Sequence, residues 1–360
     1  PWGRPPGPPG DQEDLACTLV SLANLLSSNE HTHKRHKKLT ASLSKAMART
    51  PSNAELLDQL RTLISVFESS FAKVFPEDAE RYGVVFTPQQ VVDFLIHSAN
   101  DAVEERFGKT LGNADVSVLD PFLGTGTFLT GVLQSGIIKP GDLKSVYEER
   151  LCGNEILPVS AHLAALNIQA AYCRALVANG FSDDPTPFEG VSLGNTFSTD
   201  PGHVGRRDLR ANFCPDPIRV VLMNPPYGAS RKKKEPAGGG DFDDYSQLDS
   251  RIEETYVKAS SAISTSSLFN GFYRALRWVS DYVGAQGVIA LVGNSSLLDG
   301  VASVGVRLAL AEEFSDVYLL NLKGDAHGYG DQRKREGGNV FGNEARIGIV
   351  LAVLTRTPEH

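Results

Sequence analysis

Asn224-Pro225-Pro226-Tyr227 closes the apolar run Val220-Val-Leu-Met223, and these four residues have the types and spacing to act on an amino group. Proline has a fixed φ and no N–H, so two in a row cannot continue a central strand; the chain must stop there in a stiff turn. From that turn the Asn224 side chain and the Pro225 carbonyl can point at one spot. An amide oxygen and a carbonyl oxygen make two acceptors, which matches an exocyclic amino group carrying two hydrogens. Such an amine is a poor nucleophile because its lone pair is delocalised into the aromatic ring. Two acceptors that draw its hydrogens out of the ring plane favour sp³ character and free the lone pair. Tyr227 adds an aromatic face on which an extruded base can rest. The plain alternative is a rigid turn with a capping Asn, and the strand in front of it favours the chemical reading.

A second group lies in Val116-Ser-Val-Leu-Asp120-Pro121-Phe122-Leu-Gly124-Thr125-Gly126-Thr-Phe128, a strand running into a glycine turn and then a helix. Gly124 and Gly126 allow backbone to approach a ligand closely. The Lys-Ser/Thr of a phosphate-binding loop is missing, and the Asp120 carboxylate would repel phosphate but suit an ammonium group. The third group is Leu151-Cys-Gly-Asn154-Glu155-Ile156, where a carboxylate at a strand end can take both hydroxyls of a ribose. Singly, these read as a tight turn and an exposed loop carboxylate; together they point to a nucleoside-bearing cofactor.

These residues need a sheet to hold them. From Arg81 onward the pattern alternates strand and helix, which predicts a parallel sheet covered on both faces. Strands are expected at Val116–Leu119, in part of Ser145–Cys152, at Ile218–Met223 and at Val288–Val292. Doubly wound sheets bind their ligands beyond the carboxyl ends of such strands. Helices are expected at Val159–Ala175 and Ser267–Val283, the latter with Leu268, Phe269, Phe272, Leu276, Val279 and Val283 on one face. Val317–Leu322 and Ile347–Leu354 bracket a long loop, as an antiparallel pair would.

Upstream, residues 1–14 are Pro/Gly-rich and read as a disordered tail. A helical segment over 15–78 follows: one pattern runs Leu15–Leu26, another places Leu56, Leu57, Leu60, Leu63, Ile64, Phe67 and Phe71 on a single face. His31–Lys38 reads as a solvated linker, and Gly228–Ser250 as a mobile loop.

The chain has 360 residues, 41% of them hydrophobic, enough for a full core. No stretch is apolar for long enough to span a membrane and no secretion signal opens the chain, so a cytoplasmic location is expected. Cys17, Cys152, Cys173 and Cys214 are scattered, which indicates neither a disulfide framework nor a metal site. The net charge of −8 argues against a surface coated for nucleic acid, although Arg231–Lys234 and Arg333-Lys334-Arg335 form basic islands. Pro1 in place of Met predicts a fragment or a processed chain.

With these motifs in hand, the sequence resembles the amino-group DNA methyltransferases. Asp120 to Phe128 is similar to their cofactor loop and Asn224-Pro-Pro-Tyr227 to their catalytic motif. Tyr82-Gly-Val-Val-Phe86-Thr87-Pro88, followed by Val91, Val92 and Phe94, resembles their leading motif, which closes over the methionine part of the cofactor. Gly194-Asn195-Thr196 resembles the segment that contacts the cofactor adenine, where many relatives carry Asp in place of Asn195. Asn321-Leu-Lys-Gly324 and Arg333 to Gly342 look like the methyltransferase portion of the single-chain type ISP restriction-modification enzymes. There an aromatic before the last strand stacks on the extruded base, and Phe341 occupies that place; otherwise it is a core residue at a strand start.

The resemblance implies a seven-stranded, Rossmann-like mixed sheet over residues 79–360. It also implies S-adenosylmethionine as cofactor, double-stranded DNA as partner, and transfer of a methyl group to N6 of a flipped adenine without a metal. Phe86, Thr87, Pro88, Asp120, Pro121, Phe122, Gly124, Thr125, Gly126, Phe128, Asn154, Glu155, Ile156, Asn195, Thr196 and Asn224 are then expected around the cofactor. Type ISP enzymes carry nuclease and helicase modules ahead of this region and a target-recognition domain behind it. The first 80 residues are too short for a motor and nothing follows His360, so target recognition is expected from a lost part or a partner chain. Two rivals remain open: methylation of a glutamine side-chain amide, and a non-catalytic subunit that holds cofactor or DNA in a defence complex.

Overall fold

The computed structural model describes residues 60–62, 64, 65, 67, 68, 87–181, 187–197, 218–227, 245–324, 339–341 and 348–359. Seven strands form one sheet: β1 (Val116–Asp120), β2 (Leu151–Glu155), β3 (Val191–Leu193), β4 (Ile218–Met223), β5 (Gly287–Asn294), β6 (Asp316–Lys323) and β7 (Ile349–Arg356). Their spatial order is β3-β2-β1-β4-β5-β7-β6. The first five strands run parallel, and β7 is antiparallel to both β5 and β6. From β1 the chain winds outward to β3, then returns to lay β4 beside β1 in the register Leu119 to Val221. That reversal is the topological switch point where open α/β sheets bind ligands.

The faces follow from the two-residue period of the strands. Val220 and Leu222 of β4, with Val288, Ala290 and Val292 of β5, join one core. This core is covered by α1 (Gln89–Phe107), α2 (Thr127–Gln134) and α3 (Pro158–Ala178). Val221, Met223, Ile289 and Leu291 face the other way, toward α5 (Gly271–Tyr282) and α6 (Val304–Glu313). Continuous apolar runs in β4 and β5 therefore mean burial on both sides, as the sequence predicts.

Local chemistry sets the element ends. Gly108 caps α1 at φ +63° with its N–H on the Glu104 carbonyl. Pro158 begins α3 at the position where the missing N–H costs nothing. The Asn270 side chain caps α5, accepting from the Tyr273 N–H at 3.0 Å.

Three expectations need correction. Ser145–Arg150 is helical, not strand: Leu143, Val146 and Tyr147 bury one face of a short helical stretch, and β2 begins only at Leu151. The mobile loop expected to reach Ser250 gives way at Ser246 to helix α4 (Ser246–Ile252), which buries Leu248 and Ile252. The short strand β3, edge-lying and partly exposed, has no counterpart in the predicted set. The antiparallel pair near the C-terminus is present, as β6 and β7.

Of the N-terminal helical pattern, Leu60, Ile64 and Phe67 are buried, one face at helical spacing. The tail, the Leu15–Leu26 pattern, His31–Lys38, both basic islands and Phe86 lie outside the described residues. No helix among the described residues is long and apolar enough to cross a membrane.

Candidate active site

Asp120, Glu155, Gly194, Asn224, Asn294 and Lys323 all stand at the carboxyl ends of strands that run in one direction, so they share one edge of the sheet. The turn after β1 is shaped by two left-handed glycines, Gly124 at φ +54° and Gly126 at φ +82°. They differ in surroundings. A Cβ on Gly126 would meet Ile168 at 3.1 Å and the Ala164 backbone at 3.3 Å, so this glycine packs the turn on α3. A Cβ on Gly124 would meet nothing within 4 Å, so this glycine opens the turn to a ligand.

Glu155 reaches from β2 to accept the Gly124 N–H at 2.7 Å and the Leu157 N–H at 2.8 Å. Its carboxylate thus fixes the turn. Burial raises its pKa, against the lowering effect of those N–H donors. Asp120, 1% exposed, accepts the Phe122 N–H at 3.0 Å; burial pushes its pKa up to about 8, and the neighbouring Glu155 adds to the rise. Thr125, at the tip between the glycines, donates to Glu68 at 2.5 Å, while its carbonyl accepts from Asn167 at 3.0 Å. Burial raises the Glu68 pKa as well. Neither Glu68 nor Asn167 was signalled by motif: one lies 57 residues upstream of Thr125 and the other is an ordinary polar residue on α3. Asp120, Glu155 and Glu68 surround this turn without an ion pair among the described residues.

Asn154 and Thr196 act inside the fold. The Asn154 amide donates to the Gly194 carbonyl at 2.9 Å and to Thr196 Oγ1 at 2.8 Å, and Thr196 donates to the Pro121 carbonyl at 2.5 Å. Together they bolt the turns after β1 and β3 to each other. Phe128 is buried in the core of α2, and Ile156 is half-buried at the end of β2. Phe122 leans on Phe197 with ring centroids 5.5 Å apart.

At the end of β4, Asn224 Nδ2 donates to Thr87 Oγ1 at 3.0 Å, just ahead of Pro88 and α1. An amide whose nitrogen is held in this way has its rotation fixed, and its oxygen is the acceptor end. Tyr227 stacks parallel to Phe272, with centroids 6.2 Å apart and 7° between planes, and burial raises the pKa of its phenol. Gly271 makes this turn possible: a Cβ there would come within 2.7 Å of the Pro226 carbonyl. Phe341, half-buried against the same core as Tyr227, lies between β6 and β7 and donates its N–H to Asn339 Oδ1 at 2.9 Å. The structure thus groups Thr87 with Asn224 and ties together the turns bearing Asp120, Glu155 and Thr196.

Comparisons with known proteins give the family and the fold. Residues 60–247 match the model of the N-6 DNA methylase family. Among solved structures, a DrdV–DNA complex is similar at 28% identity and a TM-score of 0.75, over 97% of this chain and 36% of that one. The ATP-dependent type ISP restriction-modification enzyme LlaBIII bound to DNA is similar at 31% identity and a TM-score of 0.72, over 96% of this chain and 25% of that one. A nuclease-deletion mutant of the type ISP enzyme LlaGI with a DNA substrate mimic gives 27% and 0.71, over 96% and 30%. The chain therefore spans between a quarter and just over a third of the length of these proteins. No curated protein matches it. By its family match, its sheet order and the turn that ends β4, the chain belongs to the N-6 DNA methylase family, with an α/β methyltransferase fold.

Proposed function

We propose that this chain is the catalytic unit of a DNA adenine N6-methyltransferase that uses S-adenosylmethionine, and that it works in a restriction-modification or phage-defence system. One observation carries the reading: Asn224 sits at the switch point beside the β1 turn with its amide nitrogen held by Thr87, which leaves the amide oxygen as acceptor. The residues of the β1 turn suit the cofactor. Gly124 offers open backbone, and the carboxylates of Asp120 and Glu155 are buried and that of Glu68 half-buried, with no cationic side chain paired to them among the described residues, which favours a positively charged ligand. Thr87, Asp120, Glu155 and Asn195 would hold that cofactor, which supplies an electrophilic methyl group on a sulfonium sulfur.

The chain's own residues do the rest. Asn224 Oδ1 and the Pro225 carbonyl accept the two hydrogens of the target amine, which localises its lone pair for attack. Tyr227 and Phe341 hold the extruded base by stacking. The amine becomes acidic as the new N–C bond forms and gives its proton to water, so no side-chain base is required. Residues 79–360 form the catalytic unit. Duplex DNA is the partner, and its target sequence is read by modules beyond the catalytic unit, in the same polypeptide or another chain.

The test is transfer of tritiated methyl from labelled cofactor to adenine-rich duplex DNA. Asn224→Ala removes one of the two acceptors and should lower the rate roughly 100- to 1,000-fold with cofactor binding retained. Label in protein but never in DNA would replace this reading with glutamine methylation. Tight cofactor binding without transfer would replace it with a binding subunit.

A further inference from the structure

We propose that Glu68 is a positioning residue through which the helix ahead of the sheet and the turn after β1 hold each other in place. Binding of the cofactor then tightens the docking of that helix, and the docked helix raises the affinity for the cofactor. The inference rests on the reading of this turn as a site for S-adenosylmethionine. A turn built on two left-handed glycines has many other shapes open to it, so it presents one shape to a ligand only if its surroundings hold it. From β2, the Asn154 carbonyl accepts the Leu123 N–H at 2.9 Å and Glu155 accepts the Gly124 N–H at 2.7 Å. At the tip, the Thr125 carbonyl accepts from Asn167 of α3 at 3.0 Å, and the Thr125 hydroxyl donates to Glu68 at 2.5 Å. The first three contacts belong to the sheet and the helix that covers it; the fourth comes from a residue 57 positions earlier in the chain.

The helix that carries Glu68 is seated. Its Leu60, Ile64 and Phe67, one face at helical spacing, are buried although they join neither core of the sheet. On α3, Leu163, Leu166 and Ala170 are buried outside those two cores as well, and Asn167 lies on the same side of that helix. Glu68 and Asn167 meet at one residue, Thr125, so the two helices flank one tip. Thr125 is itself 1% exposed, and without Glu68 its hydroxyl would keep only the Thr127 hydroxyl at 3.4 Å. A buried hydroxyl left so poorly partnered is costly, and the turn would relax to another shape. A ligand that selects the present shape and a helix that stabilises it must therefore favour each other, by the reciprocity of linked equilibria.

The full chain is titrated calorimetrically with S-adenosylhomocysteine, and amide hydrogen exchange in the helix bearing Glu68 is followed with and without that ligand. The ligand should slow exchange there in the wild type. Glu68→Ala should weaken binding about tenfold and abolish the slowing, the worth of one hydrogen bond to a carboxylate. Thr125→Val keeps the shape of the side chain and removes the hydroxyl; adding Glu68→Ala to it should cost no more than about twofold further, because the contact is already gone. Glu68→Gln keeps an acceptor for the hydroxyl without the charge and should retain the slowing, which a role through charge alone would not allow. Equal losses from Glu68→Ala in the wild-type and Thr125→Val backgrounds overturn the proposal. So does a Glu68→Gln chain without the slowing, or wild-type exchange that the ligand leaves unchanged. A wild-type chain that binds no S-adenosylhomocysteine overturns the cofactor reading itself, and the proposal with it.

Discussion

Arg277 and Asp120 are equally buried, each 1% exposed, yet their surroundings are opposite. On the α5–α6 face Arg277 donates to both oxygens of Glu313, at 2.6 and 2.8 Å, and to Asp281 at 2.8 Å. Arg356 joins Glu313 and Arg251 joins Asp281. At the carboxyl edge of the sheet, Asp120, Glu155 and Glu68 draw close to one glycine turn and, among the described residues, meet backbone N–H groups and a threonine hydroxyl. A buried charge with its partners present serves the fold, whereas the carboxylates at this turn meet no cationic side chain among the described residues, the contrast on which the proposed cofactor site rests.

The largest expected effect breaks the paired side. Arg277→Met removes the one fully buried cation of the network and leaves the partly exposed Glu313 and Asp281 with Arg356 and Arg251 alone, and should lower unfolding stability by about 1.5–3 kcal/mol in urea titrations. A loss under about 1 kcal/mol would mean that the network behaves like a solvated surface pair, and the contrast would dissolve.

The unpaired side should respond to pH instead. The folded-state pKa of Asp120, about 8, lies above its ordinary 3.8, so between these values the native chain keeps a proton that the unfolded chain has lost. The unfolded state then binds fewer protons, and this group's contribution to stability falls as pH rises from about 4 to about 8. Asp120→Asn keeps an acceptor for the Phe122 N–H and removes that slope. Its midpoint should change less between about pH 5 and pH 8 than the wild type's. A cationic ligand favours ionised Asp120, so cofactor affinity should climb with pH up to about 8 in the wild type and stay flatter in the variant, as read by calorimetry. Equal slopes in the two chains would show that Asp120 titrates normally.

The smallest effect sharpens the same contrast within one turn. Gly126→Ala and Gly124→Ala each force a side chain into left-handed backbone, about 1–2 kcal/mol. Gly126→Ala must also displace Ile168 and should destabilise more, while Gly124→Ala points into open space and should chiefly weaken cofactor binding. Matching melting temperatures and matching affinities for the two variants would erase the distinction.

The strands that hold the site were readable because β1, β4, β5, β6 and β7 are apolar runs closed by Gly, Pro or Asp. The turn at Asn224 was readable because two prolines cannot continue a strand. What escaped was non-local or short. Glu68 contributes through a hydrogen bond across 57 residues, and Tyr245, at the start of a helix with no motif, through a phenol that accepts from the Asn195 amide at 2.8 Å. Where within Ser145–Cys152 the strand begins was left open because two adjacent buried residues, Val146 and Tyr147, satisfy strand and helix patterns alike. Asn154 and Thr196 sit inside motifs, and that the Asn154 amide nitrogen and the Thr196 hydroxyl also join two turns is something that spacing does not encode.

The hairpin of β6 and β7 has a closed neck. Lys323 and Gly324 both take left-handed backbone, at φ +62° and +82°, and the Asn339 amide donates back to the Gly324 carbonyl at 3.3 Å. Asn339 thereby links the end of β6 to Phe341, whose N–H its Oδ1 also accepts, so a change at Asn339 would loosen the strand end and the aromatic together.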